Sequence, residues 1–218
     1  MIVHADALYQ NRKHAAYLLG ERLMEHKNTD AILVAIPGGG IHTGSYLAQL
    51  LQLPLEVIPC KKIKHPADSC RTIGAVSIDA IVVQDNTNEI PQDYMYHQIQ
   101  LLKHVIEGQN RAYHGGRLQA PLNNKTIILV DDMLKTGDTM LACVRSIKKQ
   151  GPDKIIVVVP NVTPEGARKI ADEIDAIIYL TIEPLQAVDS IYANLPDVSE
   201  EEVISLLRAL REDATQEK

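Results

Sequence analysis

The fold turns on "TIILVDDMLKTGDTM", residues Thr126 to Met140. Five strand-forming residues run into two adjacent carboxylates, Asp131 and Asp132, followed by a short loop containing Gly137. Like charges side by side at a strand mouth repel each other unless a cation or a group of hydroxyls lies against them. The rest of the motif suggests which. Lys135 to Thr139 lie between a strand end and a helix start, where main-chain N–H groups have no intrahelical partner. Thr136 and Thr139 add hydroxyl donors, and Gly137 permits a tight curl. Such a loop suits a phosphate monoester at the positive end of a helix dipole. The acids would repel that phosphate, so they must face another part of the ligand. Vicinal sugar hydroxyls suit them, since a carboxylate only accepts hydrogen bonds. A 5′-phosphate with a free ribose diol satisfies both halves of the motif. The plainer reading, in which the acids open a turn and Thr139 caps the helix, accounts for "DD" but leaves "KTGDT" without a purpose.

A second glycine-bearing loop, "PGGGIHTGS", follows the apolar run "AILVAI". It is not a Walker loop, because Ser45 stands where that motif needs lysine, and its glycine spacing does not fit a dinucleotide fingerprint. What remains is main chain at Gly38, Gly39 and Gly40 that can approach an anion closely.

Outward from these loops, apolar runs alternate with amphipathic segments. Helices are predicted over Ala7 to Met24, from about Gly44 to Leu51, from Pro91 with a stripe of Met95, Ile99, Leu102 and Ile106, from about Thr139 to Gln150, near Glu165 to Glu173, and after a capping box of Ser199 and Glu202. The last helix carries a stripe of Val203, Leu206 and Leu210. Buried strands are predicted at "AILVAI", "LEVI", "TIILV", "KIIVVVP" and "AIIYLTI", and "AVSIDAIVV" reads as a hairpin or two short strands broken at Asp79. "AYHGGRLQAPLNNK" reads as a loop. The alternation implies an α/β fold: a mostly parallel sheet with helices on both faces, around a Rossmann-like core.

The totals agree. The chain has 218 residues, 45% of them hydrophobic, enough for one large α/β domain spanning 1–218. With eight Tyr and no Trp or Phe, the core must be aliphatic. A net charge of −6 and no Lys/Arg block argue against nucleic acid as a partner. Cys60, Cys70 and Cys143 have no pairing or metal-ligand spacing and read as reduced thiols. Neither a signal-peptide h-region nor an apolar run of about 20 residues is present, so no membrane partner and a cytoplasmic location are expected.

The opening motif resembles the phosphoribosyl pyrophosphate (PRPP) motif of type I phosphoribosyltransferases: a hydrophobic run, two acids, a spacer, then Thr-Gly-x-Thr. The likeness covers nearly the whole chain and is closest to a bacterial subgroup of stand-alone, mostly unassigned members. "NRKHAAYLLGERL", "AIPGGGIHTGSYLAQLLQLPLEV", "CKKIKHP", "TIGAV", "YHGGR" and "YANLPDVSEEEV" carry it. The resemblance implies transfer of phosphoribose from PRPP to a nitrogenous acceptor, a nucleobase, with release of pyrophosphate. It implies that Asp131 and Asp132 hold the ribose hydroxyls and that Lys135, Thr136, Gly137, Asp138 and Thr139 surround the 5′-phosphate. By the same likeness Gly38, Gly39 and Gly40 meet the pyrophosphate, with Lys61 and Lys62 leading into a mobile loop. Asp131, Asp132 and Lys62 are thus the expected catalytic residues. Magnesium is implied as Mg2+ carried by PRPP, reaching the acids through water at most, and a homodimer is implied. Residues 61–90 become the mobile loop with short strands, and 184–218 a small hood with the C-terminal helix.

The chain departs from the subgroup at Gly38, where arginine is usual, so a cation expected near the pyrophosphate is missing. Cys70 stands where an acid is common, and Ile191 and Leu195 replace the usual aromatics around Tyr192. These departures motivate an alternative, a non-catalytic regulatory protein that binds PRPP or a nucleotide. A hydrolase or phosphorylase of phosphorylated sugars is a third reading. Arg71 is a candidate replacement charge, His42 and His65 are candidate acids or bases, and Tyr192 is a candidate for stacking on a base. Each has a structural counterpart: a solvated surface charge, exposed loop histidines, a packed tyrosine.

Overall fold

The computed structural model describes residues 9–85, 87, 89–185, 187, 192 and 196–216. Its centre is a five-stranded sheet of β1 (Ile32–Ala35), β2 (Leu55–Val57), β6 (Thr126–Val130), β7 (Lys154–Val162) and β8 (Ala176–Ile182). The strand order is β2-β1-β6-β7-β8, and every pairing is parallel. The three intervening strands, β3 (Cys60–His65), β4 (Asp68–Ser77) and β5 (Ile81–Val83), form a separate antiparallel ribbon.

The central strands read as unbroken apolar runs because both of their faces are covered. In β6, Ile127 and Leu129 pack with Met140, Val144 and Ile147 of α4 (Asp138–Lys148). The alternate residues Ile128 and Val130 pack with Leu19 of α1 (Arg12–Glu21) and Leu47 and Leu51 of α2 (Gly39–Leu51). Each such side chain, fully buried, contributes about 1.5–3 kcal/mol. Edge strand β8 is only half-buried along its length, not buried as its composition suggests. Burial there is decided by position in the sheet, which local pattern does not encode.

The ribbon lies between α4 on one side and α3 (Gln92–His114) on the other. Within residues 61–90, expected as a mobile loop with short strands, β3 and β4 pair across a turn, with register shifts at Ile63/Lys64 and Lys64/His65. The break at Asp79 is the β4–β5 turn, held by the Ser77 N–H donating to the Ala80 carbonyl at 2.8 Å. The predicted stripe of α3 does face the ribbon, with Ile106 fully buried. That helix extends through "AYH", predicted as loop, because the left-handed Gly115 (φ +58°) closes it one residue later.

Two helix starts also differ from expectation. Helix α1 begins at Arg12, not Ala7, because Asn11 is extended and its side chain accepts from the His14 N–H at 3.0 Å. Helix α2 begins at Gly39 rather than Gly44, since Gly38 adopts φ +109° and turns the chain directly into the helix. The glycine loop is thus itself a helix N-terminus. The predicted helix near Glu165 is α5 (Pro164–Ile170), followed by a 3-10 turn. At α6 (Glu200–Gln216) the Ser199 hydroxyl caps the Glu202 N–H at 3.1 Å. Glu202 does not fold back to complete the box; it reaches His42 on α2 at 2.9 Å. Val203 and Leu207 are the buried residues of α6, whereas Leu206 and Leu210 are half-buried.

A buried ion pair anchors the C-terminus of α3. His114, 5% exposed, has Nε2 3.1 Å from Glu56 of β2 and Nδ1 2.8 Å from the Asn110 carbonyl. Both ring nitrogens face acceptors, and the hydrogen bond to Glu56 raises the His114 pKa against the opposing effect of burial. The stabilisation is therefore fully present below the unfolded value of about 6.5 and is lost as pH rises through the higher folded value. His114→Leu is expected to cost about 2 kcal/mol at pH 6 and clearly less at pH 9, read from urea melts. A penalty that grows with pH would contradict the charged-histidine assignment.

Candidate active site

Strand order reverses between β1 and β6: the chain moves outward from β1 to β2, then returns to β6 on the other side. In open α/β sheets ligands bind at the carboxyl ends of the strands at such a point. Both loops singled out in the sequence end there, and between them lies a cleft of about 550 Å³. Gly39, Lys61, Lys62, Asp131, Asp132 and the loop Lys135–Gly137 with Thr139 line it. Gly40 marks the contact between the two loops, since a Cβ there would lie 2.9 Å from the Val130 carbonyl oxygen.

The loop after β6 is built from behind. The Leu134 N–H donates to the Asn161 carbonyl, and the Thr163 N–H to the Leu134 carbonyl, each at 2.9 Å. The Thr163 hydroxyl donates to the Lys135 carbonyl at 2.6 Å. With these carbonyls turned toward β7, Gly137 (φ +81°) curls the chain into α4. The helix start faces the cleft with its first N–H groups unclaimed by side-chain caps.

Asp138 is the exception among the expected phosphate-loop residues. It is 1% exposed and does not line the cleft. Its carboxylate is ion-paired with Lys169 of α5 and accepts from Gln84 at 2.7 Å and from the Thr136 hydroxyl at 3.1 Å. The side chain therefore braces the loop from beneath, leaving only its main chain for a ligand. A carboxylate aimed at a phosphate would be repelled, and here that charge is neutralised elsewhere.

The two acids are not equivalent. Asp132 receives Arg12: Nη2 and Nε lie 2.9 and 3.3 Å from Oδ2. Among the described residues Asp131 has no such cation. Its Oδ1 accepts the Asp132 N–H at 2.8 Å, while burial, then the neighbouring Asp132 charge, push its pKa well above the usual carboxylate range. Lys62 opposes that shift from across the cleft. Sequence reasoning missed Arg12, which lies 120 residues from Asp132 in the chain. A lone basic residue at a helix start gives no periodic or spacing signal.

Lys62 is exposed and Lys61 half-buried, and Lys64, not singled out in the sequence, joins them on the ribbon wall of the cleft. Lys61 also lines a smaller cavity of about 130 Å³ with Gly38, Gln109, Tyr113 and Glu200. Other candidates resolve toward structural roles. Tyr192 is 6% exposed, packs on Tyr9 with ring centres 5.5 Å apart, and donates to the Asp132 carbonyl at 3.4 Å. His42 is tied to Glu202, and His65 accepts the Ala67 N–H at the ribbon turn. Arg71 and Cys70 are exposed on β4, and Cys143 is buried in α4. Ile191 and Leu195 lie outside the described residues.

The donor set suits a hard divalent cation held mainly by its own ligand. Asp131 and Asp132 supply carboxylate oxygens, and Asp131 lacks a paired cation. Among the described residues no group of three or more His, Cys, Asp or Glu could cage an ion alone. Among them, too, no helix is long and apolar enough to cross a membrane.

A helix start thus lies beside two carboxylates at the switch point of the parallel sheet of an α/β protein. The chain belongs to the phosphoribosyl transferase domain family, whose pattern matches residues 4–192. It is 28% identical over 211 residues to a Mycobacterium tuberculosis protein provisionally named a phosphoribosyl transferase, covering 94% of this chain and 48% of that one. The chain thus spans about half the length of such relatives. It is 26% identical over 185 residues to a uracil phosphoribosyltransferase of Thermococcus sibiricus, covering 76% of this chain and 75% of the relative. A crystal structure from Thermus thermophilus shares the fold, with a TM-score of 0.75, 24% identity, and coverage of 93% of this chain and 98% of that one.

Proposed function

We propose that the protein transfers phosphoribose from PRPP to a nitrogenous acceptor, a nucleobase, and releases pyrophosphate. The observation that carries this reading is the division of the cleft. A helix N-terminus suited to a phosphate and two acids suited to a diol lie on one wall, with Lys61, Lys62 and Lys64 on the other.

In this reading the N–H groups at Lys135–Thr139 hold the 5′-phosphate, which fixes the sugar end. Asp131 and Asp132 accept the ribose hydroxyls, orienting the anomeric carbon between acceptor and leaving group. The carbon–oxygen bond to pyrophosphate breaks while the acceptor nitrogen forms its bond on the opposite face. Positive charge builds on the sugar, where the carboxylates stabilise it, and negative charge builds on pyrophosphate, where Lys61, Lys62 and the N–H groups at Gly38–Gly40 do so. Bound magnesium, arriving with PRPP and oriented through water by Asp131 and Asp132, would neutralise pyrophosphate oxygens. The name carried by the Thermococcus relative favours a nucleobase as acceptor.

The test is incubation with PRPP, magnesium and a panel of bases, following pyrophosphate. Base-dependent release is expected. Release independent of base would point to hydrolysis instead. Tight PRPP binding without release across a broad panel would favour the regulatory reading, which the glycine at position 38 supports: at φ +109° that site is closed to an arginine without strain.

A further inference from the structure

We infer that Arg12 is the positioning residue of the diol site, fixing Asp132 so that each acid accepts one hydroxyl of the ribose. The inference rests on the reading of the cleft as a ribose-phosphate site.

Local structure gives Arg12 no reason to be where it is. A cation in the first turn of a helix opposes the helix dipole, and α1 has no acid in that turn to offset it. The side chain is nonetheless only 10% exposed, so its charge has left water. Burial of a guanidinium is tolerated only when its donors are matched. Here they are matched by two segments remote in the chain. Nε and Nη2 meet Asp132 Oδ2, and Nη1 donates to the Pro196 carbonyl at 2.7 Å, 184 residues away. The third neighbour is the glycine loop, since a Cβ on Gly39 would lie 1.6 Å from Asp132 Oδ2 and 2.7 Å from Arg12 Nε. Arg12 therefore joins the acid pair, the loop after β1 and the C-terminal segment at one point.

The stereochemical consequence concerns the acid. Both guanidinium contacts fall on Oδ2, leaving Oδ1 of Asp132 for a ligand. Asp131 uses its own Oδ1 for the Asp132 N–H, leaving Oδ2. Among the described residues no donor reaches the remaining oxygen of either acid, the two carboxylates lie against each other, and two adjacent hydroxyls match two single acceptors. A diol read in this way is discriminated hydroxyl by hydroxyl, because removing either hydroxyl leaves one specific oxygen unpaired. Without Arg12, Asp132 can rotate to offer either oxygen or turn from the cleft, and the reading of its hydroxyl is lost.

The experiment compares ribose 5-phosphate with its 2-deoxy and 3-deoxy analogues on wild type, Arg12→Met and Arg12→Lys by calorimetry, with melting temperatures recorded alongside. Wild type is expected to prefer the full diol over each analogue by about tenfold or more. Arg12→Met should lose most of the preference against one analogue and keep that against the other. Arg12→Lys, which keeps the charge but cannot span Asp132 and Pro196 as a planar fork, should restore it only in part. If Arg12→Met weakens all three ligands equally, or melts lower with both preferences intact, Arg12 is merely structural and the inference fails. If wild type binds none of the three, the ribose-phosphate reading itself fails.

Discussion

Asp131→Asn is expected to weaken PRPP binding by about 100-fold while the ligand-free protein melts no lower than wild type at neutral pH. The two effects share one cause. Among the described residues Asp131 is ion-paired with no cation, and its pKa is raised chiefly by burial, then by the charge of Asp132. A raised acid pKa means that the folded state holds its proton more tightly than the unfolded one. The penalty is absent below the unfolded value of about 3.9 and grows as pH climbs toward the folded value. Asparagine keeps the shape and an oxygen for the Asp132 N–H without the charge, so it removes that penalty. It also removes the negative acceptor that a ribose hydroxyl and the cationic sugar need. Melting curves from pH 4 to 8 should show the variant gaining on wild type as pH rises. A variant that binds PRPP normally, or one that loses ground with rising pH, would refute the assignment. Asp132→Asn makes the contrast, because it strips Arg12 of its partner and should lose stability together with affinity.

Asp138→Ala is expected to destabilise the fold by about 3 kcal/mol, the lower end of the range for breaking a buried pair, since Lys169 keeps 26% side-chain exposure. In a chain of 218 residues that corresponds to a fall in melting temperature of about 6–12 °C. Gln84 and Thr136 lose their acceptor at the same time, so the loop ahead of α4 loosens and PRPP affinity falls as well. Asp138→Asn keeps an oxygen for Thr136 and should lie between the two. Were the carboxylate a ligand contact instead, affinity would fall with no change in melting temperature. Thermal melts and PRPP titration of the same samples separate these outcomes.

Much of this protein is legible from local pattern. The apolar runs at β1, β6 and β7 predict buried parallel strands because both faces of the sheet are covered. The acids and the Thr-Gly-x-Thr loop at 131–139 locate one wall of the cleft. The stripe of α3 and the Ser199 cap are local in the same sense, set by residues within a few positions of each other.

Elsewhere local pattern misleads, and in one direction. "CKKIKH" carries no apolar period that marks a strand, yet it forms β3, because pairing with β4 and packing against α3 and α4 supply order that composition does not record. Asp138 belongs to the motif by spacing, but Gln84 and Lys169, distant in sequence, take its charge out of the cleft. Tyr192 has the chemistry to stack on a base, and Tyr9 and Asp132 claim it instead.

What the sequence alone determined, then, is the order of the elements, the aliphatic core and the chemistry available at the strand ends. Only the tertiary structure decided that Asp132 is the acid paired with Arg12 and Asp131 the one whose pKa burial raises, that Asp138 is a brace, and that Arg12 belongs to the site. The physical reason is range. Hydrophobic periodicity and turn chemistry act over a few residues and leave a mark in them, whereas a buried ion pair is set by where two remote segments meet.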